Sequence, residues 1–158
     1  MNEFRHSSSI PANIKEVFEF FSKAENLERI TPAFLKFRIL TPLPIQMEEG
    51  VKIDYRLQIH HLPMKWRTLI SEWNPPYAFT DTQLSGPYQT WIHRHTFEPA
   101  EDSETTLMTD HVQYRLFTGP LLHSWIRRDI ERIFHYRNQA IRDIFTISAI
   151  KKTLIPSF

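Results

Sequence analysis

Two hydrophobic periods divide this chain. From residue 34 to residue 117 apolar side chains fall on every second position. After Gly119-Pro120 they return at helical spacing for about 30 residues, roughly 45 Å of helix. Val51, Ile53, Tyr55, Leu57 and Ile59 alternate with Lys52, Asp54, Arg56, Gln58 and His60, the pattern of a strand with one buried face. Before it, Phe37 and Ile39 alternate with Lys36 and Arg38. A turn is expected at His61-Leu62-Pro63, after which Trp66, Thr68 and Ile70 share a face until Asn74-Pro75-Pro76. Residues 77–84, 88–98 and 105–117 read as three more strands, split by Ser85-Gly86-Pro87 and by the stretch Glu98 to Glu104. Connections this short join antiparallel neighbours, because parallel strands need a crossover of about a dozen residues or more. The helix expected over 120–149 carries a stripe of Leu122, Trp125, Ile126, Ile130, Ile133, Ala140, Ile141, Ile144 and Phe145, interrupted by Arg137. A one-sided helix that follows an antiparallel sheet buries its stripe on that sheet. The fold class is α+β.

Ahead of this region, residues 2–10 alternate with Phe4, His6, Ser8 and Ile10 on one side, and Pro11 ends the strand. Asn13 is placed to cap a helix bearing Val17, Phe18, Phe20 and Phe21, and a second short helix near Ala24 to Ile30 stops at Thr31-Pro32. The 158 residues read as one domain, 1–158, long enough to bury about 68–70% of the unfolded surface without a metal or disulfides. The absence of cysteine excludes disulfides, thiolate nucleophiles, Cys-bound zinc and iron–sulfur clusters. Nineteen Lys and Arg against 18 Asp and Glu leave a charge of +1, so no nucleic-acid partner is expected. No apolar run approaches the roughly 20 residues of a membrane span, and residues 1–9 lack the apolar core of a signal peptide. The expected location is the cytoplasm. Gly50, Gly86 and Gly119 are too scattered to cradle a phosphate. Twelve Phe, 5 Tyr and 4 Trp supply either a dense core or the wall of an apolar cavity.

Strand parity singles out the polar interior. Trp91, His93, His95 and Phe97 share a face opposite Thr90, Ile92, Arg94 and Thr96, and Arg94 in water turns both histidines inward. Met108, Asp110, Val112 and Tyr114 point inward by the same logic, so antiparallel pairing brings Asp110 within reach of a histidine. An unpaired buried polar group costs about 1–3 kcal/mol. The cluster therefore reads as a structural hydrogen-bond network, as a set of groups that orient a ligand, or as a metal site. His93 and His95 with Asp110 would form a two-histidine, one-carboxylate set. Glu98, the acid on the same strand as the pair, has the opposite parity, and neither metal nor cofactor is expected. Asp81 and Gln83 are in phase with Phe79, on a strand whose inward face the alternation leaves open. Glu72 shares parity with Trp66 and Ile70 and can reach the interior. Arg137 either meets an inward carboxylate, holds a ligand oxygen through its forked donors, or extends to the helix edge. No serine sits in a glycine-flanked elbow. His60-His61 and the arginines between 127 and 137 read as solvated.

Several segments together carry a resemblance. They are Ile10-Pro11-Ala12 with Val17-Phe18, Trp66-Arg67-Thr68 with Ile70 and Trp73, Phe79-x-Asp81-x-Gln83 and Gly86-Pro87-Tyr88. Further along stand Trp91-x-His93-x-His95-x-Phe97, Met108-Thr109-Asp110 and Phe134-x-Tyr136-Arg137. Over nearly its whole length the chain resembles the START/Bet v 1-like (SRPBCC) superfamily, in its small bacterial cyclase/dehydrase-like branch. The resemblance implies a helix-grip fold: a seven-stranded curved antiparallel sheet around the long C-terminal helix, with two short helices between strands one and two. It implies a cavity between sheet and helix for a small hydrophobic ligand, a lipid, an isoprenoid or quinone, or a polyketide-like molecule. Parity and helix phase then assign the walls. Tyr55, Trp66, Ile70, Trp91, Met108, Val112 and Tyr114 face Ile126, Ile130, Ile133, Arg137 and Ile141, with His93, His95 and Asp110 as inward polar groups; Asp81 and Gln83, whose face the alternation leaves open, complete the expected ligand-binding set. Binding or carriage without turnover is the expected function. The alternative is a polyketide cyclase or dehydratase with His93 or His95 as general base, oriented by Asp110; no catalytic motif of such relatives matches. Monomer and homodimer are both compatible with the sequence.

Overall fold

Alternation along the chain becomes one antiparallel sheet in the computed structural model, which describes residues 1–117 and 123–154. The strands are β1 (Asn2–Ile10), β2 (Arg38–Ile39), β3 (Lys52–Ile59), β4 (Leu62–Asn74), β5 (Ala78–Ser85), β6 (Thr90–Pro99) and β7 (Thr106–Arg115), in spatial order β1-β7-β6-β5-β4-β3-β2. The first strand thus returns to the last: Asn2 pairs with Tyr114 and Ile10 with Thr106. Between β1 and β2 lie α1 (Ile14–Phe21), α2 (Asn26–Arg29) and a single 3-10 turn at Ala33–Leu35; α3 (His123–Leu154) closes the fold. This is the helix-grip arrangement.

Local chemistry sets each boundary. The Asn13 side chain accepts the Glu16 backbone N–H at 3.1 Å, one of the donors a helix start leaves unpaired, and α1 then buries Val17, Phe18 and Phe21. The strand expected around Phe37 shrinks to Arg38–Ile39, because Lys36 turns the chain through a left-handed φ of 44°. The hairpin turn falls at His60-His61 instead of His61-Leu62-Pro63. Both histidines have positive φ, 47° and 68°, the twist that suits a two-residue hairpin, and Leu62 and Pro63 already pair with Ile59 and Gln58. His60 is not simply solvated: its Nε2 lies 2.7 Å from Asp129 on α3. The α3 residues expected at 120–122, Leu122 among them, lie outside the described residues. Trp125, assigned to the buried stripe, is 69% exposed, and the stripe runs instead through Ile130, Phe134, Ile141 and Phe145.

The two ends of the sheet meet the helices differently. On one side Ile10, Phe97 and Met108 pack against Val17, Phe18 and Phe21 of α1 and Ile141 and Phe145 of α3. On the other, Ile53, Tyr55, Leu57, Trp66 and Ile70 of β3 and β4 cluster without a residue of α3 among them. The register of β4 against β5 shifts between Arg67 and Thr68 and again between Ile70 and Glu72, which bends the sheet at this end. Among the described residues no helix is long and apolar enough to cross a membrane.

Candidate functional site

The open end of the sheet encloses a cavity of about 200 Å³, where a single water needs about 10–15 Å³. Its floor is the concave face of β3 to β6, with Tyr55, Trp66, Ile70, Phe79, Asp81, Trp91, His93 and His95. Ile130, Ile133, Phe134 and Arg137 of α3 form one side, and residues of α1, α2 and the following segment, Phe21, Leu27 and Phe37 among them, form another. Aromatic rings dominate: Trp66 lies 5.5 Å from Trp91 and 5.6 Å from Tyr88, edge to face. Such pairs give a stiff wall, since they are stabilised by ring quadrupoles as well as by burial.

A polar cluster occupies one end. His93, His95 and Asp110 are 4%, 2% and 4% exposed. His93 Nε2 sits 2.8 Å from Asp110 Oδ1 in a hydrogen bond, and His95 Nδ1 sits 2.9 Å from the same oxygen, too bent to make one. Asp81 enters from β5, with Oδ2 3.3 Å from His95 Nε2 and 3.6 Å from His93 Nδ1. The imidazole rings are 3.8 Å apart, and Phe79 stacks on His95 at 4.1 Å. Burial, with His95 adding to it, drives the His93 imidazole down to about 4 against the pull of Asp110 and Asp81. Burial alone would raise the Asp110 carboxyl, but the contacts of His93 and His95 and the charge of Arg137 hold it well below the usual range. Asp81 is likewise lowered, burial being outweighed by His95, His93 and Arg137. The cluster holds two ionised carboxylates against a neutral His93.

Arg137 interrupts the apolar stripe to reach this end. Its guanidinium carbon lies 5.6 Å from the Phe21 ring centre, and its buried Nε has no hydrogen-bond partner. The buried indole N–H of Trp66 has none either. Both residues line the cavity.

Comparison with known proteins now bears on this geometry. Residues 10–142 match the family model described as "Polyketide cyclase / dehydrase and lipid transport". The chain belongs to that family. No curated protein matches it. Similar solved structures include a START superfamily protein from Mycobacterium smegmatis, 10% identical, with a TM-score of 0.72 over 91% of this chain and 97% of that one. Ginseng major latex-like protein 151 from Panax ginseng is 12% identical, with a TM-score of 0.67 over 91% and 97%. A protein from Thermus thermophilus, TTHA0849, is 17% identical, with a TM-score of 0.62 over 93% and 99%. At these identities the likeness speaks for the fold.

In this member of the polyketide cyclase/dehydrase and lipid-transport family, the cavity takes some of the expected wall residues and refuses others. Tyr55, Trp66, Ile70, Asp81, Trp91, His93, His95, Ile130, Ile133 and Arg137 line it. Gln83 does not: its amide donates to the Tyr88 carbonyl at 2.6 Å and accepts the Tyr88 N–H at 3.3 Å, bracing the β5–β6 turn. Asp110 stands behind the histidines. Met108 and Ile141 are packed in the core with Ile10 and Phe97, and Val112 and Tyr114 are covered by Ile130 and Phe134. Inward parity held for all of these strand residues, but α3 lies directly on them and leaves no space. Glu72 faces outward, where it takes Arg94 at 2.9 and 3.0 Å and the Thr80 hydroxyl at 2.6 Å. The register shift after Ile70 reverses the parity that pointed it inward. The walls from α1, α2 and the 3-10 segment, and Phe134, were missed. Their apolar spacing marked short helices and gave no sign of what they would face.

Proposed function

We propose that this chain binds or carries a small, mostly apolar molecule bearing at least one oxygen acceptor, of the lipid, isoprenoid, quinone or polyketide-like kind. The observation that carries the reading is the pairing of an aromatic cavity with two buried donors, Trp66 Nε1 and Arg137 Nε, that lack partners. Buried donors are nearly always satisfied, and a ligand oxygen is what would satisfy these. Family membership supports the same class of ligand. Its handling of lipids or polyketides as a family is the reason for naming those chemistries.

Turnover is the second reading, and one observation favours it: Asp110 hydrogen-bonds His93 and abuts His95, and both imidazoles line the cavity. A general base works best with a pKa near the working pH. His93, at about 4, is a poor one. His95 also lines the cavity, and its replacement is the test of this reading.

Mass spectrometry under native conditions on freshly purified protein tests the binding reading, with a retained apolar adduct as the expected result. Replacing both histidines is a poor control, since it strands two buried carboxylates. Arg137→Met and Trp66→Phe keep the apolar bulk and remove a donor each, and both should shed the adduct. Retention equal to the parent chain in both variants would sink the donor assignment. Conversion of model polyketides, lost in His95→Ala, would move the function to the enzyme.

A further inference from the structure

Asp81, His93 and His95 aim three donor atoms at one point of the cavity. Asp81 Oδ2, His93 Nδ1 and His95 Nε2 all lie within 4.8 Å of one another. The two nitrogen-to-oxygen separations, 3.6 and 3.3 Å, are long for hydrogen bonds, which centre near about 2.9 Å. A hydrogen-bond network thus gives Asp81 Oδ2 one long bond, from His95 Nε2 at 3.3 Å, and none from His93 Nδ1. The same spacings suit a coordination polyhedron. Metal bonds of about 2.0–2.2 Å to nitrogen and carboxylate oxygen give a tetrahedron with edges of about 3.3–3.6 Å.

The far side of the cluster agrees. A coordinating imidazole is commonly fixed by a carboxylate at its other nitrogen. Here one oxygen, Asp110 Oδ1, stands 2.8 Å from His93 Nε2 and 2.9 Å from His95 Nδ1. Asp81, His93 and His95 line the cavity while Asp110 does not, so three atoms face the space and the bracing acid lies behind them. The charge balance points the same way. Two carboxylates share the site with Arg137, and the other cation on the cavity wall, Lys23, is paired with Glu19 at 2.9 Å.

We propose that Asp81, His93 and His95 bind one divalent first-row transition-metal ion of the zinc or iron(II) kind, with an open coordination position facing the apolar cavity. Two imidazoles and one carboxylate suit such ions, whereas Ca²⁺ takes about six to eight oxygens. The third protein ligand is Asp81 of β5, and Asp110 holds His93 by a hydrogen bond and abuts His95 without touching the ion. A water or an oxygen of a bound molecule completes the coordination. The proposal holds whether or not the cavity also carries a ligand, because the test reads the ion alone.

The experiment is a Co²⁺ titration of full-length protein first stripped with chelator. One equivalent should produce the visible absorption of four- or five-coordinate cobalt, and Zn²⁺ should displace it. Asp81→Asn and His95→Gln should lose the band, and Asp110→Asn should weaken affinity by about 10–100-fold. A His60→Gln, His61→Gln variant should bind as the parent does. Where a variant fails to fold, NMR of the parent locates the ion: the paramagnetic shifts should fall on the ring signals of His93 and His95. The absence of a saturable one-equivalent band overturns the proposal. So does parental affinity in a folded Asp81→Asn, or shifts confined to other histidines.

Discussion

Ile141 and Ile70 are equally hidden from solvent, at 1% and 2% exposed, yet they stand in different surroundings. Ile141 lies where α1, α3, β1, β6 and β7 converge, packed with Ile10, Phe97, Met108 and Phe145. Ile70 lies where β4 bends away from α3, and it borders the cavity beside Tyr55 and Trp66. The same molecule therefore has a solid half and a hollow half, and inaccessibility to water does not distinguish them. What does is whether a helix fills the space above the strand. The polar cluster sits at the seam, with Asp110 on the solid side and Asp81 on the hollow one.

The largest expected effect breaks the solid half. Ile141→Ala should cost about 3–5 kcal/mol, lost burial plus the cavity left behind, read from urea unfolding midpoints. A cost under about 2 kcal/mol would mean that this half is not close-packed.

Next comes the seam, probed by pH with chelator present so that only the protein's own protons count. Burial holds His93 at about 4, below its ordinary 6.5. Above about pH 6.5 the group is neutral in both folded and unfolded chains. As pH falls from there toward 4, the unfolded chain takes up a proton that the folded one refuses, so stability falls. The loss is on the order of 3 kcal/mol by pH 4. Asp110, lowered from 3.8, extends the loss in the same direction at still lower pH. A urea midpoint that stays flat between pH 7 and pH 4 would contradict a buried neutral His93.

Ile70→Ala sharpens the contrast from the other side. Its side chain borders space as well as packed atoms, so about 1–2 kcal/mol is expected, well below the Ile141 value. Equal costs at the two positions would erase the distinction between the halves. The smallest effect belongs to the outer face of the hollow half, where Arg67 holds Asp54 in two hydrogen bonds of 2.7 and 2.8 Å, open to solvent. Asp54→Asn should leave the urea midpoint almost unmoved, because exposed ion pairs are screened.

Much of the seam was legible in the residues. Arg94 between His93 and His95 can reach water from only one face, and that alone turned the histidines inward beside Asp110. Asp81 was not legible, because its strand carries Phe79, Asp81 and Gln83 on one parity and Ala78, Thr80 and Thr82 on the other, and neither face is decisively apolar. Pairing decided it, by setting Asp81 opposite His93 and Ile70. Glu72 shows the reverse case. A clear parity was undone by a register shift that the local alternation does not announce.

By itself, the sequence determined the α+β class, the antiparallel strands, the Asn13 cap, the long C-terminal helix and the inward face of β6 and β7. All of these follow from periodicity and capping, which act over a few residues. Only the tertiary structure decided that the stretch from Phe20 to Ile39 helps to wall the cavity, that Met108, Val112 and Tyr114 lie under α3 instead of facing space, and that Asp81 joins the histidines. These depend on how far a bent sheet stands from a helix many residues away. Period two gives each side chain a face; the space in front of that face is set by what packs across it.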